Sequence, residues 1–187
     1  MSDTPVFNLH QGSIPLMVSI PHCGIHIPDD IKAQLLPLAQ DVRDTDWHLP
    51  LLYDFAKAMG ASVLQANMSR YVIDLNRPLD QTNLYPGQDT TLLCPIDNFD
   101  RQPLYPEGKT PSQQEIERRS KLYWHPYHDA LSAELARLKA LHGHVVLWDA
   151  HSIRSVLPRF FEGKLTDLNL GTGGGKSRSE EHTSELQ

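Results

Sequence analysis

Leu16-Met17-Val18-Ser19-Ile20-Pro21-His22-Cys23-Gly24 is an apolar run that ends on a histidine. A second run of the same design follows later in the chain: His144-Val145-Val146-Leu147-Trp148-Asp149-Ala150-His151-Ser152. Continuous runs rich in Val, Ile and Leu predict strands buried on both faces, as in parallel sheets. In open α/β sheets, ligands bind outside the carboxyl ends of such strands. The two runs therefore predict an α/β fold with two imidazoles at the edge where ligands bind.

The elements between the runs support that fold. Residues 28–38 read as a short helix broken by Pro37. Asp46 reads as the N-cap of a helix whose apolar stripe is Trp47, Leu51, Leu52, Phe55 and Met59, stopped by Gly60. Residues 61–66 and 71–75 read as strands. The stretch 76–110 is rich in Pro, Gly, Asp and Asn and too long for a passive connection, which predicts a functional loop. Thr110-Pro111-Ser112-Gln113 opens a helix reaching Leu141, with Leu131, Leu135, Leu138 and Leu141 as its core stripe and a kink near Leu122 caused by Pro126. Residues 160–161 and 165–170 read as further strands. Strands alternating with helices predict a mostly parallel sheet with helices on both faces.

Composition narrows the class. The chain has 187 residues, enough for one domain with a sizeable core, and is 40% hydrophobic and 21% charged, as soluble globular proteins are. A net charge of −6 argues against nucleic acid, which needs basic patches. Ten histidines favour metal or acid–base chemistry. Two cysteines, Cys23 and Cys94, form no disulfide framework and suit a reducing, cytoplasmic setting. No stretch has the length and apolarity of a membrane span, and the N-terminus lacks the basic and apolar regions of a signal peptide.

The last residues, 178–187, match the translation of a common sequencing adapter codon for codon. A domain over 1–172, incomplete at its C-terminus, with a non-native tail over 173–187, is therefore expected.

Three groups of residues could carry chemistry. Catalytic zinc takes three protein ligands from His and Asp/Glu and keeps one open position. His22, one of Asp44 and Asp46, and His151 would fill that set. Asp149, two residues before His151, could cap a turn or fix the tautomer of a ligating imidazole. Arg70, Asn76 and Arg77 lie in Ser69-Arg70-Tyr71-Val72-Ile73-Asp74-Leu75-Asn76-Arg77-Pro78, which would place a guanidinium at the same sheet edge. Arginine grips carboxylates with two parallel hydrogen bonds, although surface pairing to Asp74 or Asp80 is an equal reading. Arg154 and Arg159 could serve likewise. Cys23, next to His22, could be a nucleophile, but neighbouring strand residues point to opposite faces, so His22 is badly placed to activate it.

In order along residues 5–172, these segments resemble the N-formylglutamate amidohydrolase family. The matching pieces are Ser19-Ile20-Pro21-His22-Cys23-Gly24, Asp44-Thr45-Asp46-Trp47, the 69–78 segment, Leu84-Tyr85-Pro86-Gly87, Tyr123-Trp124-His125-Pro126-Tyr127-His128, Trp148-Asp149-Ala150-His151-Ser152, and Asp167-Leu168-Asn169-Leu170-Gly171-Thr172. The resemblance implies a zinc-carboxypeptidase-like (phosphorylase/hydrolase-like) fold. It implies zinc-dependent hydrolysis of N-formyl-L-glutamate to formate and L-glutamate, a step of histidine degradation.

By position, the resemblance makes His22, Asp46 and His151 the metal ligands, with Asp44 and Asp149 behind them. It makes Asn76 and Arg77 a pair that holds a substrate carboxylate, with Arg70 and Arg154 as further substrate contacts. Members of the family continue past the Asn-Leu-Gly-Thr segment, and the expected general base is a glutamate there. No catalytic base is therefore expected in this chain, and little deformylase activity. A zinc deacylase for another N-acyl amino acid, or a fragment that only binds metal or ligand, are the alternative readings.

Overall fold

The computed structural model describes residues 4–80, 82 and 89–171. It falls into two units, 1–153 and 154–187. The tail expected at 173–187 lies outside the described residues, as does the segment Leu84-Tyr85-Pro86-Gly87.

The first unit is built on a sheet with four strands among the described residues: β1 (Phe7–His10), β2 (Leu16–Ile20), β3 (Ser62–Ala66) and β4 (Val146–Asp149). The order is β1-β3-β2-β4. β2 runs parallel to both neighbours, with Val18 opposite Val63 and Ser19 opposite Asp149, and β1 is antiparallel to β3. β1 is not among the expected strands. Its four residues, Phe7-Asn8-Leu9-His10, alternate half-buried and exposed, as an edge strand with one packed face does, and are too few to show a period in the sequence.

Alternation along β2 assigns its two faces to two cores. Met17 joins Leu64, Ala66, Tyr127 and Leu138 on one side, and Val18 and Ile20 join Val63, Leu49 and Ala56 on the other. Helix α5 (His125–His142) covers the first face. Helices α2 (Leu49–Leu52) and α3 (Asp54–Ala58) cover the second. A mixed, mainly parallel sheet with helices on both faces is thus present.

Several elements depart from expectation. Helix 28–38 is a short α1 (Asp29–Lys32) and, from Pro37, a 3-10 turn (Pro37–Asp41). Asp46 caps no helix. The 46–59 stretch divides into α2 and α3, and Leu51, Leu52, Phe55 and Met59 are all more than half exposed. Leu49 and Ala56 face the core instead. Residues 71–75 form no strand, although Tyr71, Val72, Ile73 and Leu75 are buried. Side chains take the place of a ladder there: Arg119 Nη1 donates to the Val72 carbonyl and His128 Nε2 to that of Leu75.

The long helix starts two residues further in than its Thr110 cap predicted. Ser112 caps α4 (Gln113–Arg119) by accepting from the Glu115 N–H. A π-turn over Ser120–Trp124 then joins α4 to α5, where the kink was expected. The wider turn precedes Pro126, which lacks the N–H that a regular helix would use. Leu138 is fully buried and Leu131 and Leu135 pack on the core, while Leu141 is exposed.

β4 does not match its reading as a strand buried on both faces. All four residues are exposed, because β4 is the sheet's edge and pairs only with β2 among the described residues.

The second unit holds no strand among its described residues, so the strands expected at 160–161 and 165–170 are absent. It turns at 157–161, where the N–H groups of Phe160 and Phe161 both donate to the Leu157 carbonyl. Leu165 N–H then bonds Ser155 O.

Candidate metal centre

The two histidines arrive together because β2 and β4 are parallel neighbours. Ser19 stands opposite Asp149, so each chain leaves the sheet at the same height, and Ala150 N–H donates to Ser19 O one step beyond. His22 and His151 follow at once, with ring centroids 5.0 Å apart. Two residues after His22, Gly24 packs against the chain itself: a Cβ there would collide with the Asn67–Met68 backbone.

Asp46 completes the pair from the loop before α2. Its N–H bonds the His22 carbonyl at 3.0 Å. The loop is bracketed by two left-handed residues, Val42 at φ 41° and His48 at φ 66°. That conformation is costly for a β-branched valine and is found where surrounding structure enforces it. Asp46 Oδ2 accepts from His151 Nδ1 at 3.0 Å and from Ser152 N–H at 3.2 Å, and lies 3.8 Å from His22 Nδ1. One ligating atom from each of His22, Asp46 and His151 falls within 4.8 Å of the others.

The two imidazoles are oriented alike. His22 presents Nδ1 to Asp46 and sets Nε2 2.7 Å from Asp74 Oδ1. His151 presents Nδ1 to Asp46 and sets Nε2 3.0 Å from Asp149 Oδ2. A carboxylate behind each ring and a shared oxygen between the inward nitrogens is how metal-binding imidazoles are fixed in tautomer and direction. The donor set of two imidazoles and one carboxylate fits a zinc-like divalent ion with an open position.

Asp74 is the residue sequence reasoning missed. It is fully buried and gathers Arg70 Nη2 at 2.6 Å, Thr91 Oγ1 at 3.4 Å, His22, and the Asn76 N–H at 2.9 Å. Its burial alone would raise its pKa, but the charges of Arg70, His22 and Arg77 outweigh that and hold it well below the usual carboxylate range. A charged residue inside the apolar run Tyr71-Val72-Ile73-Asp74-Leu75 was the available signal, because a lone carboxylate is not buried without partners.

Electrostatics differ between the two histidines. Burial, with Arg70 nearby, pushes the His22 pKa down despite Asp74 and Asp46. For His151 burial also acts downward, yet hydrogen bonds to Asp149 and Asp46 raise it to about 9. Asp149 is lowered against its own burial by the His151 contact.

The remaining expected residues divide. Asp44 turns away from the pair: it is buried, and its Oδ2 accepts from the Phe99 N–H at 2.9 Å. Asn76 reaches the site, with Nδ2 3.2 Å from His151 Nε2. Arg77 follows it, donating from Nε to Thr91 O and from Nη1 to Asn76 O. Arg70 corrects the expectation of a substrate contact. It is buried, paired to Asp74 and stacked 4.7 Å over the Phe99 ring, so it acts from behind the site. Arg154 opens the second unit and is exposed. Burial pushes the Cys23 thiol up to about 12, and its Sγ donates to Ile20 O and Ala66 O, which makes a poor nucleophile.

A sequence model of the family N-formylglutamate amidohydrolase matches residues 14–187. The N-formylglutamate deformylase of Pseudomonas putida is 50% identical over 172 residues, which are 92% of this chain and 64% of that protein. The N-formylglutamate deformylase of Pseudomonas aeruginosa matches to the same extent. The chain thus spans 64% of the length of these relatives. Among solved structures, the N-formylglutamate amidohydrolase of Ralstonia eutropha superposes with a TM-score of 0.65 and 26% identity, over 80% of this chain and 57% of that one. A gene product of Agrobacterium tumefaciens shares the fold, with a TM-score of 0.66 at 19% identity, over 85% of this chain and 61% of that one.

Proposed function

The chain belongs to the N-formylglutamate amidohydrolase family, and from that premise we propose that it carries the metal-binding and substrate-orienting part of a deformylase. The reaction is hydrolysis of N-formyl-L-glutamate to formate and L-glutamate, proposed for a chain of the relatives' full length. The observation that carries the reading is the matched pair of imidazoles, each with Nδ1 turned to Asp46 and Nε2 backed by a carboxylate.

We read the fold as zinc-carboxypeptidase-like and the ion as zinc, held by His22, Asp46 and His151. Zinc there would supply Lewis-acid polarisation of the formyl carbonyl. Asp74 and Asp149 keep the ligating nitrogens directed inward and make the rings better donors. Asn76 and Arg77 stand at the rim beside His151, where an amide and a guanidinium can orient a glutamate carboxylate. Asp74 and Asp149 are committed to the histidines, so we place the proton-transferring carboxylate outside this chain, in a glutamate of the part of the relatives' length that it does not span. Free thiols at Cys23 and Cys94 suit a reducing cytoplasm. No described helix is long and apolar enough to cross a membrane.

Calorimetric titration of the zinc-loaded chain tests the reading. N-formyl-L-glutamate should bind saturably, N-formyl-L-leucine should bind at least about tenfold more weakly, and Asn76→Ala with Arg77→Ala should abolish the difference. Equal binding of both compounds would point to a deacylase of another specificity.

A further inference from the structure

The motif Tyr123-Trp124-His125-Pro126-Tyr127-His128 has no part in the metal pair, yet it touches the segment that delivers Asn76. Residues 75–77 lie in no strand or helix, so nothing regular holds their carbonyls. Three side chains do so instead. His128 Nε2 donates to Leu75 O at 2.9 Å, Arg77 Nη1 to Asn76 O at 3.0 Å, and Trp124 Nε1 to Arg77 O at 3.0 Å. A carbonyl can only accept, so Nε2 of His128 carries its proton. Trp124 and His128 stack with ring centroids 3.8 Å apart and an interplanar angle of 28°.

The helix is adapted to this contact. Trp124 is the last residue of the π-turn and His128 lies in the first turn of α5. π-turns recur at functional sites because they re-aim side chains that a regular helix would place elsewhere. Here the stacked pair grips the carbonyls on both sides of Asn76. The Asn76 N–H is tied to Asp74 Oδ1 at 2.9 Å, and its side chain comes to rest 3.2 Å from His151 Nε2.

We propose that Trp124 and His128 are positioning residues: they clamp the backbone on both sides of Asn76 and so hold Asn76 and Arg77 ready for a substrate carboxylate. The clamp rests on the deformylase reading for its ligand, but its geometry can be tested without it. Neither residue touches the reacting atoms, and rigid support of this kind is what keeps a binding group within a fraction of an ångström of its working place.

The test compares the zinc-loaded parent with Trp124→Phe, which keeps a ring and loses the donor, His128→Leu, which loses it, and His128→Gln, which retains an N–H. L-Glutamate affinity is measured by calorimetry, zinc content by atomic absorption, and the Asn76 side-chain amide by ¹⁵N NMR. The clamp predicts about tenfold weaker L-glutamate binding in W124F and in H128L, the value of one lost hydrogen bond. It predicts recovery in H128Q, parental zinc content throughout, and displaced Asn76 amide signals in the two weakened variants. Parental affinity in W124F and H128L, or H128Q no better than H128L, would overturn it. If the parent itself does not bind L-glutamate, the deformylase reading fails, and the NMR arm decides the clamp alone: unchanged Asn76 signals in H128L refute it.

Discussion

His22 Nε2 lies 2.7 Å from Asp74 Oδ1, a buried contact that leaves Nδ1 of the same ring aimed at Asp46. Asp74 also holds the buried Arg70, so one carboxylate joins an imidazole, a guanidinium and, through the Asn76 N–H, the rim of the site. Removing it should act on both metal and fold. Asp74→Asn should weaken zinc binding by about 10- to 100-fold, as the loss of a carboxylate behind a ligating histidine does. Asp74→Ala leaves the Arg70 charge buried without its partner and should cost roughly 3–5 kcal/mol of stability. Chelator competition measures the first and urea denaturation the second. Parental zinc affinity in D74N would remove Asp74 from the site.

Asp44 and Asp46 stand two residues apart with different roles. Asp46 meets the histidines and Asp44 meets the Phe99 N–H. Asp46→Asn should lose most of its zinc. Asp44→Asn, whose amide oxygen can still accept from Phe99, should keep it. Zinc content after dialysis separates the two, and the reverse pattern would exchange their assignments.

His151 gives the metal-free chain a distinct pH dependence. Folding raises its pKa from 6.5 to about 9. The stabilisation from its contacts with Asp149 and Asp46 is therefore complete below pH 6.5 and is lost as the pH climbs through 9. Two neighbouring effects fall outside that window: the lowered His22 and His128 act on the acid side, and the raised thiols Cys23 and Cys94 on the alkaline side. In EDTA, thermal melts should show Tm falling between these limits, and His151→Gln should flatten the fall. A parental profile in that variant would contradict the assignment.

The same proton competes with metal. A ligating imidazole must be neutral, so zinc binding should expel about one proton from His151 near neutral pH. Apparent zinc affinity should rise about tenfold per pH unit up to pH about 9. Calorimetry in buffers of different ionisation enthalpy counts the proton. No proton release at pH 7 would mean that His151 is not a ligand.

The geometry of the candidate site was more legible in the sequence than the fold around it. His22 and His151 each end an apolar run, and parallel neighbours deliver such ends to one edge, so their meeting follows from strand pairing. Asp46 was legible only as one of two aspartates, because what separates them is the left-handed turn at His48 and the Phe99 contact. Asp74 was hidden by its surroundings: Tyr71, Val72, Ile73 and Leu75 have strand composition, but Arg119 and His128 occupy carbonyls of that segment. The stripe of Leu51, Leu52, Phe55 and Met59 has helical spacing, but tertiary packing buries Leu49 and Ala56 instead. Periodicity shows that a face is apolar without showing whether anything covers it.

Equilibrium dialysis against zinc, followed by atomic absorption, addresses the central claim most directly, with the parent, His22→Ala and His151→Ala compared under the same conditions. If His22, Asp46 and His151 hold the ion, the parent should retain about one zinc per chain, and each variant close to none while keeping its circular dichroism spectrum. Equal zinc in the parent and in either folded variant would contradict the site.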